Sequence, residues 1–240
     1  MFPISDDNRG RRSTPYVTYA LIGLNILVFI YQLLLSEQDL FFFLQDWGAV
    51  PTRVVEENRW YTLLTCTFLH GGLLHIGSNM LFLWVFGDNV EDVMGHVKYL
   101  IFYLLTGVAA SATQVFLDTS SEIPLVGASG AISGVLGAYI VLFPHGRIVT
   151  LVLLGFIFTT FMLPAWAMIG YWIALQVIQG ALSLSMRSME TGGVAFFAHI
   201  GGFVAGAALV WLFRDRDRLA YQRRARDGTM PGRRWPQRGI

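Results

Sequence analysis

The stretch VGASGAISGVLGAYIVLF, residues 126–143, carries no charge and brings glycine back at Gly127, Gly130, Gly134 and Gly137. Wound as a helix it would rise about 27 Å, close to the roughly 30 Å of bilayer hydrocarbon. It is therefore read as a membrane span with one smooth side. Five more apolar runs of similar length fall at residues 17–35, 74–90, 97–117, 164–184 and 194–213, and a seventh, shorter run at 148–163. With 54% hydrophobic and 14% charged residues, the composition is that of a membrane protein rather than a water-soluble globule.

Charge placement decides how many runs cross. Arg9, Arg11 and Arg12 precede the first span, and Arg214, Arg216, Arg218, Arg223, Arg224, Arg226, Arg233, Arg234 and Arg238 follow the last. The long loop at 36–69 holds Glu37, Asp39, Asp46, Glu56 and Glu57 against Arg53 and Arg59. The positive-inside rule then puts both termini in the cytoplasm and this loop outside. Two ends on one side require an even number of crossings. The expectation is an all-α membrane protein, a bundle of six transmembrane helices, with 148–163 an apolar loop at the cytoplasmic interface. The division is a cytoplasmic segment 1–16, a membrane domain 17–213 and a basic cytoplasmic tail 214–240.

The tail reads as a topology anchor that touches lipid headgroups; nothing beside it offers a groove-reading element for nucleic acid. Cys66 is the lone cysteine, so an internal disulfide has no second half. The first span lacks a small-residue cleavage signal and reads as retained. Short tails without a transit-type leader point to a bacterial or archaeal plasma membrane. In the outer loop, residues 40–44 and Trp47 form an aromatic stretch suited to the interface. Gly192-Gly193, ahead of the last span, is either a flexible joint or a tight turn.

Polar residues inside apolar spans are functional candidates, because lipid offers them no partner. His75 and Asn79 are four apart and share one face of the second span. His70 sits just before, beside Gly71-Gly72. His199, Gly202 and Gly206 share a face of the last span, and Ser129 adjoins the strip Gly130, Gly134, Gly137. Small residues let membrane helices approach closely, so the His199 face can reach the Ser129 helix. A serine hydroxyl becomes a strong nucleophile when a base within about 3 Å takes its proton. Peptide cleavage also needs donors for the oxyanion, and His75, Asn79 and the Ser129 N–H can supply them. No acidic residue lies near His199 in sequence, so a dyad is favoured over a triad. His70, His75 and His199 bring no carboxylate and lack the His-Glu-x-x-His spacing of zinc proteases, so neither metal nor cofactor is expected. Each element has a bland counterpart: serines and glycines pack apolar helices generally, and a lone asparagine often glues two helices together.

The ordered set is more specific than its parts. His70-Gly71-Gly72-Leu73-Leu74-His75 with Asn79, then Gly127-Ala128-Ser129-Gly130, then Ala198-His199-Ile200-Gly201-Gly202, fall on the second, fourth and sixth spans. This pattern closely resembles the rhomboid family of intramembrane serine proteases, over nearly the whole chain to about Phe213. The resemblance implies that Ser129 is the nucleophile and His199 the base. It makes His75 and Asn79 the oxyanion hole, with His70, Gly127, Gly130 and Ser133 supporting the site. It also makes Glu91, in Gly87-Asp88-Asn89-Val90-Glu91, a structural contact near the cytoplasmic side. Two positions depart from the family pattern. Trp60-Tyr61 with Arg59 stands where many members carry Trp-Arg, and Ser133 stands where some stack a tyrosine on the catalytic histidine. His199 must then be oriented by something else, for which the Ser133 hydroxyl is one candidate.

The implied function is hydrolysis of peptide bonds in or near transmembrane helices of other membrane proteins, at a site open to the outer face. Three rivals make different predictions. A catalytically silent rhomboid-like helix binder would capture substrate without Ser129. A transporter lined by His75, Asn79 and His199 would show flux in liposomes. A hydrolase of soluble substrates is opposed by the apolar surroundings of Ser129. Substrate identity and oligomeric state are not written in these residues.

Overall fold

A computed structural model describes residues 2–154, 157–185 and 195–229. The chain begins with strand β1 (Phe2–Asp6) and the long helix α1 (Tyr16–Leu34). The outer-loop region folds into short helices α2 (Glu37–Trp47), α3 (Pro51–Glu56) and α4 (Thr62–Thr65), the last followed by a 3-10 turn at Cys66–Phe68. Then come α5 (Leu73–Met94), α6 (His96–Leu117), α7 (Ser129–Leu142), strands β2 (Arg147–Leu154) and β3 (Ile157–Pro164), and helices α8 (Ala165–Ser185), α9 (Phe196–Phe213) and α10 (Arg216–Arg226).

Helices α1, α5, α6, α7, α8 and α9 make up the helical membrane bundle that the six apolar runs predict. Among the described residues, α1, α6, α8 and α9 are each long and apolar enough to cross a bilayer. Helix α5 meets the same test together with Thr62–Phe68, from which it is bent by 95°. Apolar side chains such as Leu27, Leu33, Val204 and Leu212 point outward, as expected of a bundle covered by lipid. The chain is an integral membrane protein.

Helix α7 is the hub, packed against α5, α6, α8 and α9. Every residue from Gly130 to Tyr139 is buried, as befits a helix apolar on all sides. Its 14 residues span about 21 Å, so one end stops short within the membrane thickness. Glycines set its distance from α9. A Cβ on Gly202 would strike the Gly130 carbonyl, one on Gly206 the Gly134 carbonyl, and one on Gly137 the Phe203 carbonyl. The two backbones therefore touch, which gives close-range dispersion and holds the α9 side chains in register with α7.

Within the run 148–163, expected as an apolar loop, the described residues instead form strands β2 and β3, paired antiparallel, and β1 adds a third antiparallel strand in the order β1-β2-β3. Runs such as Ile148, Val149, Thr150 and Phe158, Thr159, Thr160, Phe161 are β-branched or aromatic and favour the pleated surface. The sheet packs against α5 and α8, and Ile148 is buried in the same core as the helices.

At the end of the bundle opposite Ser129, the C-terminus of α5 gathers the chain's ends. The Glu91 carboxylate accepts the Val17 and Thr18 N–H groups at 2.9 and 2.8 Å and the Thr18 hydroxyl at 2.6 Å. It thereby caps α1, whose first N–H groups have no partner within their own helix. Asp92 accepts the Ser13 N–H at 2.7 Å and the Gln222 amide at 2.5 Å. Asp88 pairs with Arg11. The Arg223 guanidinium donates to the Leu142 carbonyl at 3.0 and 2.8 Å, closing the C-terminus of α7. Part of the arginine tail is thus a docked helix. The Gly192-Gly193 joint lies outside the described residues.

Candidate active site

Ser129 is the first residue of α7, not an interior one. The helix starts there because Gly127 adopts φ +130°, a conformation that L side chains rarely take. A Cβ at Gly127 would also lie 2.7 Å from His75 Nε2, so glycine is required for space as well as for backbone angle. The segment leading in is pinned to the outer-loop region. Ala49 and Leu125 exchange backbone hydrogen bonds of 3.1 and 3.0 Å, and Gly127 N–H donates to the Cys66 carbonyl at 2.9 Å. As N1 of its helix, Ser129 presents its N–H with those of Gly130 and Ala131 as donors that α7 itself does not use. They form the positive end of the helix dipole.

Ser129 Oγ lies 2.8 Å from His199 Nε2. The residues come from α7 and α9, and the glycine-to-carbonyl contacts between those helices make the reach possible. His199 is buried at 7% exposure. Its other ring nitrogen, Nδ1, is 2.8 Å from the Gln176 side-chain oxygen on α8. The Trp172 ring, one turn earlier on α8, lies against the imidazole with centroids 5.7 Å apart. One residue before His199, the Ala198 N–H donates to Gln114 of α6 at 3.3 Å.

The Ser133 hydroxyl does not orient His199. It donates at 2.6 Å to the Ser129 carbonyl one turn back, a bond that serine commonly makes within helices. Ser133 therefore steadies the first turn of α7, and the groups that face His199 come from α8.

His75 accepts the Gly71 N–H at Nδ1, 3.3 Å away. With that nitrogen used as acceptor, the neutral ring carries its proton on Nε2. That donor points to the Gly127 corner beside Ser129. Asn79, one turn along α5, is buried and its side-chain nitrogen has no partner among the described residues. His70 is buried at 1%; its N–H donates to the Gln32 side-chain oxygen and its carbonyl accepts from the Gln32 nitrogen, both at 3.0 Å. Its ring stands edge-on to His75, centroids 5.2 Å apart. Gly130 packs beneath, against Ala110 of α6. Among the described residues, no three His, Cys, Asp or Glu side chains converge as metal ligands would.

The outer-loop region is held without the Trp-Arg pair. Tyr61 donates its hydroxyl to the Asp46 carbonyl at 3.1 Å, Thr65 to the Trp47 carbonyl at 2.6 Å, and Arg59 reaches Glu57 and Asp46.

Gln176, Trp172, Gln114 and Gln32 are the site residues that motif reading missed. Each glutamine carried a signal: a lone amide in an apolar span has to face the bundle interior to find partners.

A helical membrane bundle that brings a serine hydroxyl within hydrogen-bonding distance of an imidazole defines an integral membrane protein with a buried polar site. The chain belongs to the rhomboid family: the rhomboid domain model matches residues 57–216. Rhomboid protein 1, mitochondrial, of Saccharomyces cerevisiae is 28% identical over 213 residues, 87% of this chain and 56% of that protein. Rhomboid protease GluP of Bacillus subtilis is 33% identical over 196 residues, 81% of this chain and 35% of that protein. Presenilin-associated rhomboid-like protein, mitochondrial, of Bos taurus is 28% identical over 166 residues, 68% and 40% of the two chains. The chain thus spans only 35% to 56% of the length of these relatives.

Proposed function

We propose that this protein is a serine endopeptidase that cleaves peptide bonds in or near transmembrane helices of other membrane proteins. The observation that carries the reading is the 2.8 Å contact between Ser129 Oγ and His199 Nε2. Membership in a family that includes a protein named as a protease supports it.

In this mechanism His199 Nε2 takes the hydroxyl proton as Ser129 Oγ bonds to the scissile carbonyl carbon. The resulting oxyanion is met by the Ser129 N–H, the His75 Nε2–H and the Asn79 amide. His199 returns the proton to the leaving amine, and the peptide C–N bond breaks. Water then attacks the ester, with His199 again as base, and frees Ser129. Substrate helices with Gly, Ala, Ser or Pro near the cut are favoured, since the helix must open to expose its bond. Glycine and proline make that cheapest, at about 1 and 3 kcal/mol of helix propensity relative to alanine.

The placement goes with the charge pattern: segment 1–16 and tail 214–240 in the cytoplasm, the domain 17–213 in the membrane, the serine toward the outer face. We assign it to a bacterial or archaeal plasma membrane. Transmembrane proteins are the substrates and membrane lipids the surroundings.

The deciding experiment is fluorophosphonate labelling of detergent-purified protein. Wild type is expected to label, and Ser129→Ala and His199→Ala to stay unlabelled and to cleave no helical substrate. Wild-type cleavage surviving in Ser129→Ala would falsify the assignment.

A further inference from the structure

We infer that Gln176 is the third member of the site, a positioning residue that sets which nitrogen of His199 carries the proton. The inference rests on the Ser129–His199 reading above and adds a role from a different helix.

His199 has two ring nitrogens, and as a base it needs a lone pair on the one facing Ser129. Nε2 faces the serine at 2.8 Å; Nδ1 faces the side-chain oxygen of Gln176, also at 2.8 Å. A carbonyl oxygen can only accept, so Nδ1 is the protonated nitrogen and Nε2 holds the lone pair. The neutral ring is thereby locked in the tautomer that takes the proton from serine. The opposite tautomer would aim an N–H at Oγ and disable the base. When His199 becomes cationic during attack, the same amide oxygen faces the positive ring.

The rest of the surroundings leaves this task to α8. Ser133, the α7 residue one turn from Ser129, spends its hydroxyl on the Ser129 carbonyl. Gln114 of α6 is spent on the Ala198 N–H. His75 of α5 is a titratable neighbour at the Gly127 corner beside Ser129, and its Nδ1 is spent on the Gly71 N–H. Trp172 and Gln176 are four apart, so one face of α8 supplies both the ring wall and the acceptor. Gln176 itself is 8% exposed, so water does not compete freely for the contact. An amide differs from the carboxylate of a Ser-His-Asp triad in one testable respect. It orients the ring without adding a charge that would hold a proton on it.

The test combines Gln176→Leu and Gln176→Glu in the full chain, read by fluorophosphonate labelling rate against pH, with Ser129→Ala as control. Gln176→Leu is expected to label about ten- to a thousandfold more slowly while remaining folded. Gln176→Glu keeps an acceptor, so it labels at high pH, but its acid limb moves up by roughly one unit or more. The added carboxylate holds a proton on the His199 ring, which must leave before the ring can act as base. A structural filler would give no such displacement. In ¹⁵N NMR of wild type, the His199 signal missing from His199→Ala should show the proton on Nδ1. A proton found on Nε2, or a Gln176→Glu profile that superimposes on wild type, overturns the inference. Labelling that persists in Ser129→Ala overturns the dyad itself, and is seen before any α8 variant is compared.

Discussion

Asn79 holds a buried amide nitrogen with no partner among the described residues, a state that costs about 1–3 kcal/mol when water cannot reach it. Such a cost makes sense where a donor is kept free for a charge that appears only during reaction. Asn79→Ala is therefore expected to lower turnover by roughly ten- to a thousandfold while thermal stability is unchanged or higher. A melting curve beside a cleavage assay checks both. Asn79, His75, Ser129 and His199 were legible in the sequence because each is a polar side chain in an apolar run, at spacings the family pattern shares. The orientation of His199 was not. Its partners on α8 are 23 and 27 residues away in the chain, and no local periodicity links them. Ser133 stood nearer in sequence, but the carbonyl one turn back competes for its hydroxyl and wins.

Helices α7 and α9 hold the serine and the histidine in register through glycine on carbonyl. Gly202 is the critical contact, three residues beyond His199. Gly202→Val pushes its side chain into the Gly130 carbonyl, a strain of about 1–3 kcal/mol or more. Moving the base by about 1 Å costs on the order of a hundredfold in rate, so labelling should fall at least that far even in folded protein. Gly23→Val, on α1, meets nothing within 4 Å and should label like wild type. This pairing was readable beforehand, since Gly130, Gly134 and Gly137 share one face of their helix and His199, Gly202 and Gly206 one face of theirs. The start of α7 was not: an apolar run from 126 looks continuous, and only the left-handed turn at Gly127 moves the boundary to Ser129. The sheet was missed for a related reason, because a short apolar run fits either period until its partner strand is known.

Taken whole, the molecule ties β1 and α10 to one end of the bundle. Asp6 on β1 accepts the Tyr139 hydroxyl and the Asn89 amide, both at 2.7 Å, with Asp88 and Arg226 as charged neighbours. Burial first, and then Asp88, push its carboxyl up to about 7. The folded protein thus binds a proton between roughly pH 4 and 7 that the unfolded chain releases, and stability falls as pH rises through that window. Asp6→Asn should flatten this fall, as thermal unfolding in detergent at pH 5 and pH 8 would reveal. The tail's docking was hidden because nothing in a run of arginines says which carbonyls they will close. Glu91 has a different consequence, one in time. The first turn of α1 gets its acceptor from a residue more than 70 positions downstream. During synthesis α1 therefore enters the bilayer with its leading N–H groups still open to the aqueous side. It is completed only when α5 arrives with Glu91. Helix α1 thus waits for a helix made after it to close its first turn.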